Sequence, residues 1–130
     1  MKTILLVGDG TESPRVVDIL NKFGHEVISM QDGPTAISFL NTGIPVDLVI
    51  TDHRVGELDG LELLASLKKL APSIPSIMLA ADGSIETYLK ALSLGVFEYL
   101  SKPAKTSELS RIVQKALEKP QPFKYGSTDV

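Results

Sequence analysis

Hydrophobic positions along the chain follow two alternating rhythms. Five short apolar runs, TILLVG (3–8), HEVISM (25–30), DLVITD (47–52), PSIMLA (75–80) and FEYL (97–100), are separated by stretches in which apolar residues recur every three or four positions. The first, third and fourth runs are almost continuously apolar, the pattern of central parallel strands covered on both faces. The second alternates, with Val27 and Ser29 to one side and Ile28 and Met30 to the other, so it reads as a strand nearer an edge. Helical stripes follow each run: Val16, Ile19, Leu20 and Phe23, then Ala36, Ile37 and Leu40, then Leu63, Leu64, Leu67 and Leu70. A fourth is marked by Ile85, Tyr88, Leu89 and Leu92, and a fifth, the most regular, by Leu109, Ile112, Val113, Ala116 and Leu117. The punctuation agrees. Ser13-Pro14 supplies a cap and a first helical position, Gly33-Pro34 opens the second helix, Ala71-Pro72 stops the third, and Ser84 and Gly95 bracket the fourth.

Strict alternation of strand and helix with short connections predicts an α/β domain: a parallel sheet, helices on both faces, and right-handed crossovers. Periodicity persists to Glu118, so residues 1–119 are expected to form one domain, and 120–130 a flexible tail or linker. In such sheets ligands bind outside the carboxyl ends of the strands, near the point where strand order reverses.

Composition narrows the function classes. A chain of 130 residues, 43% hydrophobic and 22% charged, is that of one globular domain. A formal net charge of −3 gives no basic footprint for nucleic acid. No apolar run approaches the roughly 18 residues of a membrane span, and the N-terminus turns polar too early for a signal peptide. Without cysteine there are no disulfides or thiolate metal sites, and a cytoplasmic location is expected.

The expected carboxyl ends of the strands carry Gly8-Asp9-Gly10, Asp52, Ala80-Ala81-Asp82 and Ser101-Lys102-Pro103. Asp9, Asp52 and Lys102 should therefore meet on one rim. Facing carboxylates repel unless a hard cation bridges them. A Mg²⁺ held by Asp9, Asp52, a backbone carbonyl and water would meet that need. It would leave a carboxylate oxygen of Asp52 free to attack a phosphoryl group, with Lys102 at hand for the charge. A competing reading takes Gly8-Asp9-Gly10 with Ser13 as a dinucleotide fingerprint, and Asp32 as its ribose contact. It lacks the third glycine, and it sets a carboxylate beside a pyrophosphate.

The stretches ILLVGDG, DLVITDHRVGELDGLELL, IPSIMLAAD and GVFEYLSKPAKTSEL resemble the receiver domain of bacterial two-component response regulators, over about residues 2–119. The resemblance implies a flavodoxin-like (βα)5 fold with a five-stranded parallel sheet in the order 2-1-3-4-5. It implies that Asp52 is the phosphoacceptor and Lys102 the phosphoryl contact. It implies Mg²⁺ at Asp9, Asp52 and the backbone carbonyl of Arg54, a loop turn at Asp59-Gly60, and a switch pair at Ala80 and Tyr99. Three departures stand out. Gly8 replaces an acid, Ala80 replaces a hydroxyl-bearing residue, and Val55-Gly56 replaces Met-Pro. Loss of the acid at position 8 is expected to weaken Mg²⁺ by something like the 10–100-fold typical of a lost supporting contact.

The function so implied is phosphoacceptance on Asp52 from a histidine kinase or phosphotransfer protein. The signal would leave by the face of the fourth helix, fifth strand and fifth helix, toward a second copy of the chain or a downstream effector. Such a domain is a signalling module rather than a conventional enzyme, with Mg²⁺-assisted self-phosphorylation its only chemistry. The alternatives are a pseudo-receiver that binds partners without phosphate and, more distantly, a dinucleotide or flavin binder.

Overall fold

The computed structural model describes residues 2–8, 13–55, 58–81 and 84–118. Five parallel strands, β1 (Thr3–Val7), β2 (Glu26–Met30), β3 (Leu48–Asp52), β6 (Ser76–Ala80) and β7 (Glu98–Ser101), form one sheet in the order β2-β1-β3-β6-β7. This is the flavodoxin-like arrangement. The chain reverses direction across the sheet between β1 and β3. A two-stranded antiparallel ribbon, β4 (Arg54–Val55) with β5 (Leu58–Asp59), sits directly after β3. Nothing in the apolar pattern announces it.

The helices are α1 (Ser13–Lys22), α2 (Gly33–Asn41), α3 (Gly60–Leu70), α4 (Ile85–Ser93) and α5 (Thr106–Glu118). Side chains alternate across a strand, so the continuous apolar runs feed two cores at once. Ile4, Leu6, Leu48, Ile50, Ile77, Leu79 and Leu100 pack under α1 and α5, against Leu20, Leu109 and Ile112. Leu5, Val7 and Val49 face the other way, toward Ala36 of α2 and Leu63 and Leu67 of α3. Met78 completes that side with Leu64 and Ala91. β3 and β6 are buried along their whole length, whereas β2, at the edge, is exposed or only half-buried throughout, with Val27 and Ile28 both half-buried rather than alternating.

Two local readings change. The fourth helical stripe points outward: Ile85, Tyr88, Leu89 and Leu92 are 73%, 40%, 56% and 45% exposed, while Thr87 and Ala91 face the sheet. Asp32 is no ribose ligand but the N-cap of α2, its carboxylate accepting from the backbone N–H of Thr35 at 2.8 Å. Hydrogen bonds from Thr35, side chain first and backbone second, hold that carboxyl below its ordinary range. Asp32 thus has a structural task, and the dinucleotide reading loses its acid.

Among the described residues no helix is long and apolar enough to cross a membrane.

Candidate functional site

Strand register places the site. Val7 pairs with Thr51, Asp52 with Leu79, and Ala80 with Ser101. The ladder runs on past the strand ends. Gly8 N–H donates to Met30 O at 2.9 Å, His53 N–H to Leu79 O at 3.1 Å, and Lys102 N–H to Ala80 O at 2.9 Å. Gly8, Asp52, Ala80 and Lys102 therefore occupy neighbouring positions along one rim, on backbone that the sheet holds fixed.

Of the three groups expected on one rim, Asp52 and Lys102 lie side by side. Lys102 Nζ lies 2.9 Å from Asp52 Oδ1, reaching across β6, with only 19% and 8% of the two side chains exposed. A carboxylate this deeply placed demands a charged or hydrogen-bonding partner, and the ammonium meets that demand. The Lys102-Pro103 peptide bond is cis. A guanidinium nitrogen of Arg15, in the first turn of α1, donates to Ala104 O at 2.5 Å and lies 3.5 Å from Thr106 Oγ1. Arg15 thereby ties α1 to the loop carrying Lys102. Sequence reading missed this residue. Its one signal is a cation at a helix N-terminus, where the helix dipole disfavours positive charge.

The other carboxylate oxygen fills space that Gly8 leaves open. A Cβ built on Gly8 would strike Asp52 Oδ2 and stand 2.8 Å from its Cγ. Gly60, at the start of α3, is constrained differently. A Cβ there would strike the backbone oxygen of Asp52 and come within 3.0 Å of His53 O, while Gly60 N–H already donates to that oxygen at 2.7 Å. Gly60, which the sequence reading set in a loop turn with Asp59, thus lies too close to the backbone of Asp52 and His53 to carry a side chain.

Ala80 is fully buried. Tyr99 is half-buried and meets Tyr88 of α4 edge-to-face, with ring centroids 5.4 Å apart at 75°. Ser84 caps α4, accepting from Thr87 N–H at 3.2 Å and donating to the Thr87 hydroxyl at 2.9 Å.

Asp9 lies outside the described residues, as do Gly56 and the tail 120–130; for Arg54 the structure describes the backbone only. Among the described residues no three His, Cys, Asp or Glu side chains gather into a group able to hold a metal ion. The described rim offers one carboxylate, already paired with an ammonium. With Asp9 added, the donors would be two carboxylates and a backbone carbonyl, all hard oxygen ligands of the kind Mg²⁺ takes. A cleft of about 440 Å³ opens at the opposite end of the sheet, lined by residues such as Leu67, Ile74 and Phe97. It lacks converging charged groups, so the rim at Asp52 is the candidate for chemistry.

Fold and rim together define a doubly wound α/β domain with an acid–lysine pair at the carboxyl ends of its strands. Residues 4–114 match the response regulator receiver domain, and the chain belongs to that family. It is 36% identical over 120 residues to the transcriptional regulatory protein GlrR of Escherichia coli (strain K12), covering 92% of this chain and 27% of that protein. It is 35% identical over 115 residues to the DNA-binding transcriptional regulator NtrC of Azospirillum brasilense, covering 87% and 24%. The chain thus spans about a quarter of the length of these relatives. Among solved structures, the receiver domain of NtrX from Brucella abortus superposes with a TM-score of 0.82 at 34% identity, over 89% of this chain and 98% of that one. A CheY-like receiver domain protein from Methanospirillum hungatei JF-1 gives 0.86 at 26% identity, over 92% and 96%. The chain is a receiver domain of two-component signal transduction, a signalling domain of a family that binds Mg²⁺ at its acidic pocket.

Proposed function

We propose that Asp52 accepts a phosphoryl group from the phosphohistidine of a kinase or phosphotransfer protein. The observation that carries this reading is the Lys102–Asp52 pair, 2.9 Å apart and largely shielded from water on a rim of fixed backbone. An oxygen of Asp52 forms the new P–O bond as the donor's P–N bond breaks, and the imidazole departs. Lys102, already within reach of Asp52, shifts to the phosphoryl oxygens and offsets their charge. Mg²⁺ would be held by Asp9, Asp52 and the Arg54 carbonyl, and would neutralise phosphoryl charge when bound.

The output surface proposed is the face of α4, β7 and α5. Four large apolar side chains stand out on α4, a concentration that marks contact surfaces on soluble domains. Tyr88–Tyr99 links that helix to β7. A second copy of the chain or a downstream effector would dock there. By likeness to the transcriptional regulators named above, the process served is control of transcription, with no nucleic-acid contact by this chain itself, and the location is cytoplasmic. The domain boundary proposed is 119, with 120–130 a tail or linker.

A phosphate-independent pseudo-receiver is the second reading, favoured by Ala80, which offers no hydroxyl to a phosphoryl group. Treatment with a small acyl phosphate, with and without Mg²⁺ and read by intact mass, separates the two. The expected result is one added phosphoryl group in the native chain and none in Asp52→Asn. No addition to the native chain under any condition favours the pseudo-receiver.

A further inference from the structure

We infer that the groove between α1 and α5, at the end of the sheet away from Asp52, is the seat of the chain's own residues 119–130, with the Phe123 side chain against Phe23 and Val113. The groove holds about 420 Å³, within the roughly 300–1,000 Å³ of pockets that take a ligand. Its floor is apolar: Leu20 and Val113 are 1% and 2% exposed, and Phe23 stands on its rim, 57% exposed. The end of α5 identifies the occupant. Leu117 and Glu118, its last two residues, line the groove themselves, so residue 119 starts at its mouth. The cleft of about 440 Å³ has no residue of α5 in its wall. The segment KPQPFKYGSTDV has the chemistry for an apolar groove. Pro120 and Pro122 supply no N–H for a further helical turn, and they favour extended backbone at Lys119 and Gln121. Extended proline-rich segments dock in aromatic-lined grooves at low ordering cost. Reach is sufficient. Packed helices lie about 8–10 Å apart, and the stretch from Glu118 to Phe123 covers about 15 Å when extended. His25, in the groove wall, has a ring nitrogen, Nδ1, with no hydrogen-bond partner among the described residues. A turn of the imidazole offers that nitrogen to a backbone carbonyl of the segment. The chain thereby leaves the domain alongside α1 rather than along the axis of α5. Phosphate chemistry at Asp52 has no part in this contact.

In the full 130-residue chain, nuclear Overhauser contacts are expected from the Phe123 ring to the methyl groups of Leu20 and Val113, unchanged on dilution. Phe123→Ser should move those two methyl signals and leave the methyls of Leu64 and Leu67, in the other cleft, in place. Phe23→Ser removes a ring from a position open to water and should release the segment. Chymotrypsin should then cut after Phe123 about tenfold faster than in the native chain, the lower end for burial of one phenylalanine. If Phe23→Ser does not fold, the native contacts and the Phe123→Ser shifts decide alone. Contacts that vanish on dilution would give the groove to a second copy of the chain, and contacts to Leu64 or Leu67 would give the segment to the other cleft. Either result refutes the seating inferred here. Equal cleavage rates, with no contact from Phe123 to Leu20 or Val113, would overturn it outright and leave 119–130 undocked.

Discussion

Replacing Gly60 by alanine should destabilise the domain more than any other single-methyl addition on the described rim. The new Cβ would meet three backbone atoms at once: the Asp52 oxygen, His53 O at 3.0 Å and His53 Cα at 3.1 Å. Backbone cannot rotate aside as a side chain end can. The start of α3 would have to lift from the end of β3, where Gly60 N–H donates to His53 O at 2.7 Å. Overpacking of this kind costs about 1–3 kcal/mol, and a lost backbone hydrogen bond adds about 1 kcal/mol. A total near 2–4 kcal/mol is a large share of the roughly 5–15 kcal/mol that holds a domain together. Equilibrium urea unfolding, followed by far-ultraviolet circular dichroism, would measure it as a drop in midpoint at constant slope. Gly24→Ala is the control. It has a positive φ of 86° but nothing within 4 Å of its added Cβ, so its cost is conformational alone. If Gly60→Ala lost no more stability than Gly24→Ala, the close approach at Asp52 would not be a packing constraint.

Three further outcomes follow from other places in the fold. Ala80→Thr adds atoms at a fully buried site, costing about 1–3 kcal/mol at rest. A phosphoryl mimic on Asp52 should recover about 1.5–3 kcal/mol of that through a new charge-assisted hydrogen bond, so the mimic should raise the urea midpoint of Ala80→Thr more than that of the native protein; equal rises contradict it. Burial, with the positive charge of Lys2 as a lesser cause, holds the His25 imidazole below its ordinary pKa, and its Nδ1 has no hydrogen-bond partner among the described residues. The unfolded chain then binds more protons just below about pH 6.5, so the His25 contribution is full above that pH and is lost as pH falls through it; His25→Gln should flatten the stability profile there, and an unchanged slope refutes the assignment. A double-mutant cycle of Tyr88→Leu and Tyr99→Leu should give a coupling of about 0.5–1.5 kcal/mol, and a coupling of zero would mean that α4 and β7 are not linked through these rings.

The main sheet was legible because its strands are apolar on both faces, and short continuous runs such as DLVITD and PSIMLA, set between helical stripes, are the pattern of buried parallel strands. β7 begins one residue later than its apolar run, at Glu98, a difference within ordinary end effects. The β4–β5 ribbon was not legible, since two-residue strands carry no period. The orientation of α4 was hidden for another reason. Periodicity announces a helix, yet the inward face of α4 is built from Thr87 and Ala91, small or polar residues that a search for large apolar side chains passes over. At the site, Asp52 and Lys102 could be placed from strand ends alone. The space beside Gly8 could not, because a missing acid is visible in a sequence, whereas the volume it vacates becomes visible only when the Asp52 carboxylate is seen beside it.

The central claim is that Asp52 is the residue that carries phosphate. An aspartyl phosphate reduced with borohydride leaves homoserine at the modified position, so trapping after phosphodonor treatment, followed by peptide mass mapping, reads the site directly. The account predicts homoserine at position 52 alone, at a lower yield in Lys102→Gln. Homoserine at Asp9 or Asp59, or at no position in a correctly folded sample, would contradict it.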